Sequence, residues 1–262
     1  MIDTHCHLTF SQFAGRIEEV LADASAAGVD RVITVGTTPA DCLQAQNVAM
    51  RYPGVWCTAG IHPLEASGSR DFSLLKQVVR HRRCVAFGEL GLDRHYDDPP
   101  QSDQLSLLDE QLAFVESCSA IDDVGAKPIV VHCRDAFGEL LSAFGAAGFD
   151  PARYVFHCFT GTPADARRVL DFGAWISFTG VVTFANAPEV AAAAKIVPAD
   201  RIMVETDAPY LSPEPVRKVR PNEPKHVVHT ARFLAELRGV DTDELIRTLD
   251  ANAQRFFGLG DR

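Results

Sequence analysis

Short apolar runs recur along the chain, each ended by a polar or glycine-containing turn and followed by a stretch with helical spacing. The runs near Met1–Thr4, Arg31–Val35, Val55–Ala59, Val85–Gly88, Ile129–Val131, Tyr154–Phe156, Ala174–Phe178 and Ile202–Val204 read as strands. Between them, apolar positions return every three or four residues over Ile17–Ala27, Leu74–His81, Gln104–Ser117, Ala136–Gly145, Ala164–Phe172 and Glu189–Ile196, which predicts helices. Short apolar strands alternating with helices imply a parallel sheet with crossover helices. Eight such units predict closure into a (β/α)8 TIM-type barrel, an α/β fold. The competing arrangement is an open doubly wound sheet, but no Gly-x-Gly-x-x-Gly follows the first strand. Lys225–Arg238 and Thr242–Phe257 predict two further helices on the outside. No linker or composition break interrupts the chain, so residues 1–262 are expected to form one domain.

The polar residues that interrupt this pattern fall at particular places. His5 and His7 end the first strand, His62 follows the third, Glu89 the fourth, His132 the fifth and His157 the sixth, while Glu205 and Asp207 end the eighth. In a barrel these ends share one face, where such folds carry their active sites. Residues two apart in an extended chain point the same way, so His5 and His7 can grip one ion while Cys6 turns away. Glu205 and Asp207 share a face by the same rule. His132 and His157, on neighbouring strands, can approach a second ion, and the Glu89 carboxylate can bridge the two. The candidate metal ligands are therefore His5, His7, Glu89, His132, His157 and Asp207. Mixed imidazole and carboxylate ligation suits zinc, manganese or another first-row divalent ion; magnesium would prefer fewer nitrogens, and the choice among zinc, manganese and magnesium stays open. Two such ions about 3.5–4 Å apart would clamp a phosphate and acidify a water. Asp207 is then the candidate general base, and His62 a donor to phosphate or leaving group.

Among cations, Arg134 follows the fifth strand, and Arg217 and Arg220 follow the eighth; all three are candidate substrate contacts on the catalytic rim. Phe159, Phe178 and Phe184 lie near strand ends, where they either stack on a base or pack in the core. Cys6, Cys133 and Cys158 each follow a histidine, and strand alternation turns them towards the helices. His226 and His229, spaced i, i+3, have no acidic partner. The net charge of -10 weighs against nonspecific nucleic-acid binding, although bound cations would reverse the sign locally. No apolar run reaches about 18 residues, so no membrane span is expected. Met1-Ile2-Asp3-Thr4-His5 has neither a basic region nor an apolar core, and seven cysteines lack any Cys-x-x-Cys pair. Both features lead to the expectation of a cytoplasmic protein without a secretory signal, and no obligate protein partner is predicted.

Six motifs occur in order: Asp3-Thr4-His5-Cys6-His7-Leu8, Gly60-Ile61-His62-Pro63, Gly88-Glu89-Leu90-Gly91-Leu92-Asp93, Val131-His132-Cys133-Arg134-Asp135-Ala136, His157-Cys158-Phe159-Thr160-Gly161, and Val204-Glu205-Thr206-Asp207-Ala208-Pro209-Tyr210-Leu211. Together they resemble the TatD family of metal-dependent deoxyribonucleases, within the amidohydrolase-like barrels. Asn252-Ala253-Gln254-Arg255-Phe256-Phe257 is similar to that family's closing motif. The resemblance implies two divalent metals and hydrolysis of DNA phosphodiesters, with DNA (single strands or strand ends) as partner. It carries metal binding onto the six ligands named above and supporting roles onto His62 and Glu205. The chain departs from the family after the eighth strand, where the usual Pro-His-Arg-Gly-Lys is replaced by Pro215-Val216-Arg217-Lys218-Val219-Arg220-Pro221, which bears on substrate preference. The alternative activity is hydrolysis of a small ester, amide or D-aminoacyl-tRNA bond with the same ion pair.

Overall fold

The computed structural model describes residues 1–260. Eight strands form one parallel sheet in sequence order: β1 (Ile2–Cys6), β2 (Arg31–Thr34), β3 (Val55–Ala59), β4 (Cys84–Asp93), β5 (Ile129–Arg134), β6 (Tyr154–Phe156), β7 (Trp175–Phe178) and β8 (Ile202–Val204). The sheet curls into a nearly closed barrel. Its seam is joined just beyond β8, where Asp207 N–H donates to the His5 carbonyl (2.9 Å) and His7 N–H to the Ala208 carbonyl (2.7 Å). Nine helices connect and surround the strands: α1 (Ile17–Ala26), α2 (Pro39–Arg51), α3 (Phe72–Val79), α4 (Gln101–Ser119), α5 (Phe137–Ala147), α6 (Pro163–Phe172), α7 (Pro188–Ile196), α8 (Val227–Arg238) and α9 (Thr242–Phe257) among the described residues.

Side-chain alternation divides the core in two. Ile2, Ile33, Trp56, Val85, Val130, Val155, Trp175 and Met203, one from each strand, meet in a cluster that Phe256, Phe257 and Leu259 close from below. The opposite faces of the strands pack against the helices, as in Val32 and Cys57 with Cys42 and Ala45 of α2. Filling the lower barrel with large side chains leaves only its upper, C-terminal mouth for polar groups.

Three features differ from the sequence expectation. Helix α2 has no predicted counterpart, because its buried face is Cys42, Ala45, Gln46 and Ala49, too small and too polar to produce a strong apolar stripe. Its start is still marked, by Thr38 accepting from Asp41 N–H and by Pro39 in the first turn. Strand β4 runs on to Asp93, through an irregularity between Phe87 and Leu90. Glu89 therefore sits inside the strand rather than after it. Strands β1 and β5 likewise extend, to Cys6 and to Arg134, and so include His5 and His132. No helix among the described residues is long and apolar enough to cross a membrane.

Candidate metal centre

The barrel mouth holds a cleft of about 860 Å3 with His7, His62, Glu89, His132, His157 and Asp207 among its lining residues. Glu89 is 1% exposed and stands at the centre. Its Oε2 lies 3.3 Å from His5 Nε2, while its Oε1 faces His157 Nε2 at 2.6 Å and His132 Nδ1 at 2.8 Å. The two oxygens thus look towards two different groups of imidazoles. On the Oε2 side, Asp207 Oδ1 approaches His7 Nε2 (3.3 Å) and His5 Nε2 (3.8 Å). Ligand-type atoms gather in three trios: His5, His7 and Asp207; His5, Glu89 and His157; and His62, Glu89 and His132.

The donor set fits a cation. His5 is wholly buried, yet neither ring nitrogen has a hydrogen-bond partner, and its Nε2 is aimed between two carboxylates. An orphaned imidazole in that position is satisfied by a divalent ion. Burial alone would raise the Glu89 carboxyl, but the charges of His157, His62 and His5 and the bond from His132 hold it well below the usual carboxylate range. Burial would also raise Asp207, and the hydrogen bond and charge of His7 outweigh it. Both carboxylates are therefore anionic and ready to bind a cation.

What holds each imidazole's second nitrogen separates ligands from donors. His7 Nδ1 donates to the Val35 carbonyl (2.9 Å), leaving the Nε2 lone pair free for an ion. His132 Nε2 donates to Asp93 Oδ2 (3.0 Å), which turns Nδ1 towards Glu89 and His62. His157 Nδ1 has Glu205 Oε1 at 3.4 Å without a directed hydrogen bond. His62 is the opposite case. Its Nδ1 accepts from Leu64 N–H (3.1 Å), so the ring proton of neutral His62 resides on Nε2, which faces the cluster. Burial lowers the His62 pKa against the raising pull of Glu89. His62 is thus built as a donor, although it lies in a trio.

Several supporting residues were not singled out from sequence. Asp93 anchors His132 and also accepts from the His95 (2.9 Å) and Tyr96 (3.3 Å) backbones. Two buried glutamines of α4 serve the same face: Gln104 accepts from Asp93 N–H, and Gln111 bonds both the N–H and the carbonyl of Ile61, beside His62. Asp3 accepts from the Thr206 N–H (2.9 Å) and hydroxyl (2.6 Å), fixing the turn in which Asp207 adopts φ 55°. Asp93 and Asp3 stand within the sequence motifs, so their presence was visible; their bonding partners were not.

Other expectations are corrected. Glu205 does not line the cleft: it is 1% exposed and accepts from Ser177 Oγ (2.8 Å), Thr4 Oγ1 (3.2 Å) and the Cys158 N–H, so it braces His157 from behind. Arg217 lies 3.6 Å over the Phe184 ring, and Arg220 bonds Ser212 Oγ and the Arg217 and Val219 carbonyls. Neither lines the cleft, because the loop after β8 folds upon itself; Arg134 does line it. Phe159 and Phe178 are buried in the core, and Phe184 is covered by Arg217. Cys6 packs in the outer core as expected; Cys133 packs there too, but it and Cys158 both border the cleft. No cysteine belongs to a ligand trio among the described residues.

The family model described as TatD related DNase matches residues 2–258. The chain belongs to the TatD family. It is accordingly a metal-dependent hydrolase, as its relatives are named. It is 33% identical over 261 residues to the uncharacterized metal-dependent hydrolase YabD of Bacillus subtilis (strain 168), covering 99% of each chain. It is 37% identical over 265 residues to the 3'-5' ssDNA/RNA exonuclease TatD of Cronobacter sakazakii, covering 98% of this chain and 97% of that one. Among solved structures, the TatD homolog YJJV from Escherichia coli K12 superposes with a TM-score of 0.90 at 29% identity, covering 99% of this chain and 98% of its own. The nearly closed barrel with alternating helices is the TatD architecture.

Proposed function

We propose that this TatD-family hydrolase is a two-metal nuclease that shortens single-stranded DNA from its end. The observation that carries the proposal is the division of Glu89, with one carboxylate oxygen facing His5 and the other facing His132 and His157 at the floor of an open cleft. His5, His7 and Asp207 would hold one divalent ion, His132 and His157 the other, and Glu89 would span them; manganese, zinc and magnesium all remain candidates. Such a pair supplies an acidified water and a clamp for the scissile phosphate. Asp207, with 15% of its side chain exposed, is the carboxylate placed to take the water's proton. His62 Nε2–H donates to a non-bridging phosphate oxygen or to the departing oxygen. Arg134 supplies a fixed charge on the same wall. The exonuclease name carried by the Cronobacter relative supports nucleic acid as the substrate class.

The test uses a single-stranded oligonucleotide labelled at its 5′ end, incubated with metal-stripped protein to which manganese, magnesium or zinc is restored. Stepwise shortening from the 3′ end, dependent on metal and lost in Asp207→Asn, is the expected result. An oligonucleotide left intact under all three metals would overturn the nuclease reading, leaving a small ester, amide or D-aminoacyl-tRNA bond as the substrate.

A further inference from the structure

We propose that the cleft carries two base-stacking platforms on opposite walls, Tyr96 on one and Tyr210 with Phe10 on the other, between which the last nucleotides of a single strand are splayed. The inference rests on the nuclease reading and names how the substrate is gripped. Seven large apolar or aromatic residues are exposed among the described residues, and only Tyr96 and Tyr210 of these line the cleft, each 48% exposed. Tyr96 follows β4, beside the end of β5. Phe10 and Tyr210 follow β1 and β8, at the seam. In an eight-stranded barrel these two places lie across the mouth from each other, with Glu89 between them.

Each platform is held by the residues that place the ion ligands. The Tyr96 backbone is bonded to Asp93, and the Arg134 guanidinium lies 5.6 Å from its ring centroid. On the other wall, Phe10 stacks on the ligand His7 (4.6 Å, 15°), and Tyr210 meets Phe10 edge-on at 6.1 Å. Tyr210 N–H donates to the Asp207 carbonyl (3.0 Å), and its own carbonyl accepts from Asn222 (2.6 Å). The backbones that carry the rings are therefore anchored beside the candidate ligands.

Charge gives the second reason. Among the described residues Arg134 is the only lysine or arginine lining the cleft, against Glu65, Asp98 and the other carboxylates there, and the whole chain carries -10. The chain's own cations offer few phosphate contacts in the cleft, which leaves that work to the two ions, whereas stacking on an aromatic face is available to every base. The platforms imply tolerance of sequence and exclusion of duplex, whose paired bases cannot splay apart.

The experiment measures binding of a short phosphorothioate-linked single strand to the metal-loaded protein, with 2-aminopurine at the last or next-to-last position. Expected is fluorescence quenching on binding, with Tyr96→Leu and Tyr210→Leu each weakening affinity roughly 5- to 150-fold and removing the quench at one of the two positions. Tyr96→Phe and Tyr210→Phe should restore both. An abasic end should bind the wild-type protein as weakly as the leucine variants bind the full strand. Unchanged affinity and quenching in both leucine variants, with wild-type protein still shortening oligonucleotides, would overturn the platforms alone. Wild-type protein that neither binds nor shortens any strand would overturn the nuclease reading, and the platforms with it.

Discussion

An imidazole has two nitrogens, and at this centre the group holding one of them decides what the other does. His132 Nδ1 and His62 Nε2 lie 3.0 Å apart and face the same carboxylate, yet Asp93 accepts a hydrogen bond from one ring while Leu64 N–H donates one to the other. On the proposed function the first ring would be a ligand and the second a donor. Asp93→Asn should therefore weaken binding at the His132 ion about 10- to 100-fold, read as the metal concentration that half-fills the site. Unchanged affinity would show that His132 is oriented by packing alone. The residues that gather at the barrel mouth were legible in the sequence because a histidine or acid ending an apolar strand breaks a strong pattern, and the period of two in His5-Cys6-His7 fixes which residues share a face. The roles of Asp93, Tyr96 and Tyr210 were not, because they depend on how separate loops meet over the mouth. Arg217 and Arg220 misled for the same reason: nothing in Val216–Arg220 announces that Arg217 lies over Phe184 or that Arg220 bonds carbonyls of its own loop.

At the scale of an element, β4 does more than carry Glu89. Its irregularity between Phe87 and Leu90 is allowed by Gly88 (φ 111°), where an added Cβ would meet the Val130 carbonyl at 2.4 Å. At Gly91 (φ 152°) a Cβ would come within 1.9 Å of the His132 carbonyl oxygen. The glycines let β4 lie close against β5 and bring Glu89 to the imidazoles of β5 and β6. Gly91→Ala should cost about 3 kcal/mol or more and reduce metal content together with stability. Gly145→Ala in α5, where a Cβ meets nothing within 4 Å, should be neutral or stabilising by up to about 1 kcal/mol. Similar melting temperatures for the two variants would remove close strand approach as the reason for Gly91. The sequence placed this strand at Val85–Gly88 because glycine normally ends one; here it permits continuation.

For the whole molecule, the centre crosses the seam of the barrel. His5 and His7 come from the beginning of the strand order and Asp207 from its end, and only a few backbone bonds join the two sides. An ion held by these three residues ties the edges of the sheet together. Metal at 100 times its dissociation constant should stabilise the protein by about 2.7 kcal/mol, raising the melting temperature by roughly 5–10 °C over the stripped form. The gain should shrink in Asp207→Asn; equal gains in both proteins would separate metal binding from the seam. The same arrangement orders events in time during synthesis. A growing chain has made Glu89 and the histidines of β1, β5 and β6 long before residue 207 exists, and until then His5 and His7 face no carboxylate from across the seam. The centre is completed only when the barrel is, so an unfinished chain carries most of the candidate ligands but lacks the carboxylate proposed to accept the proton.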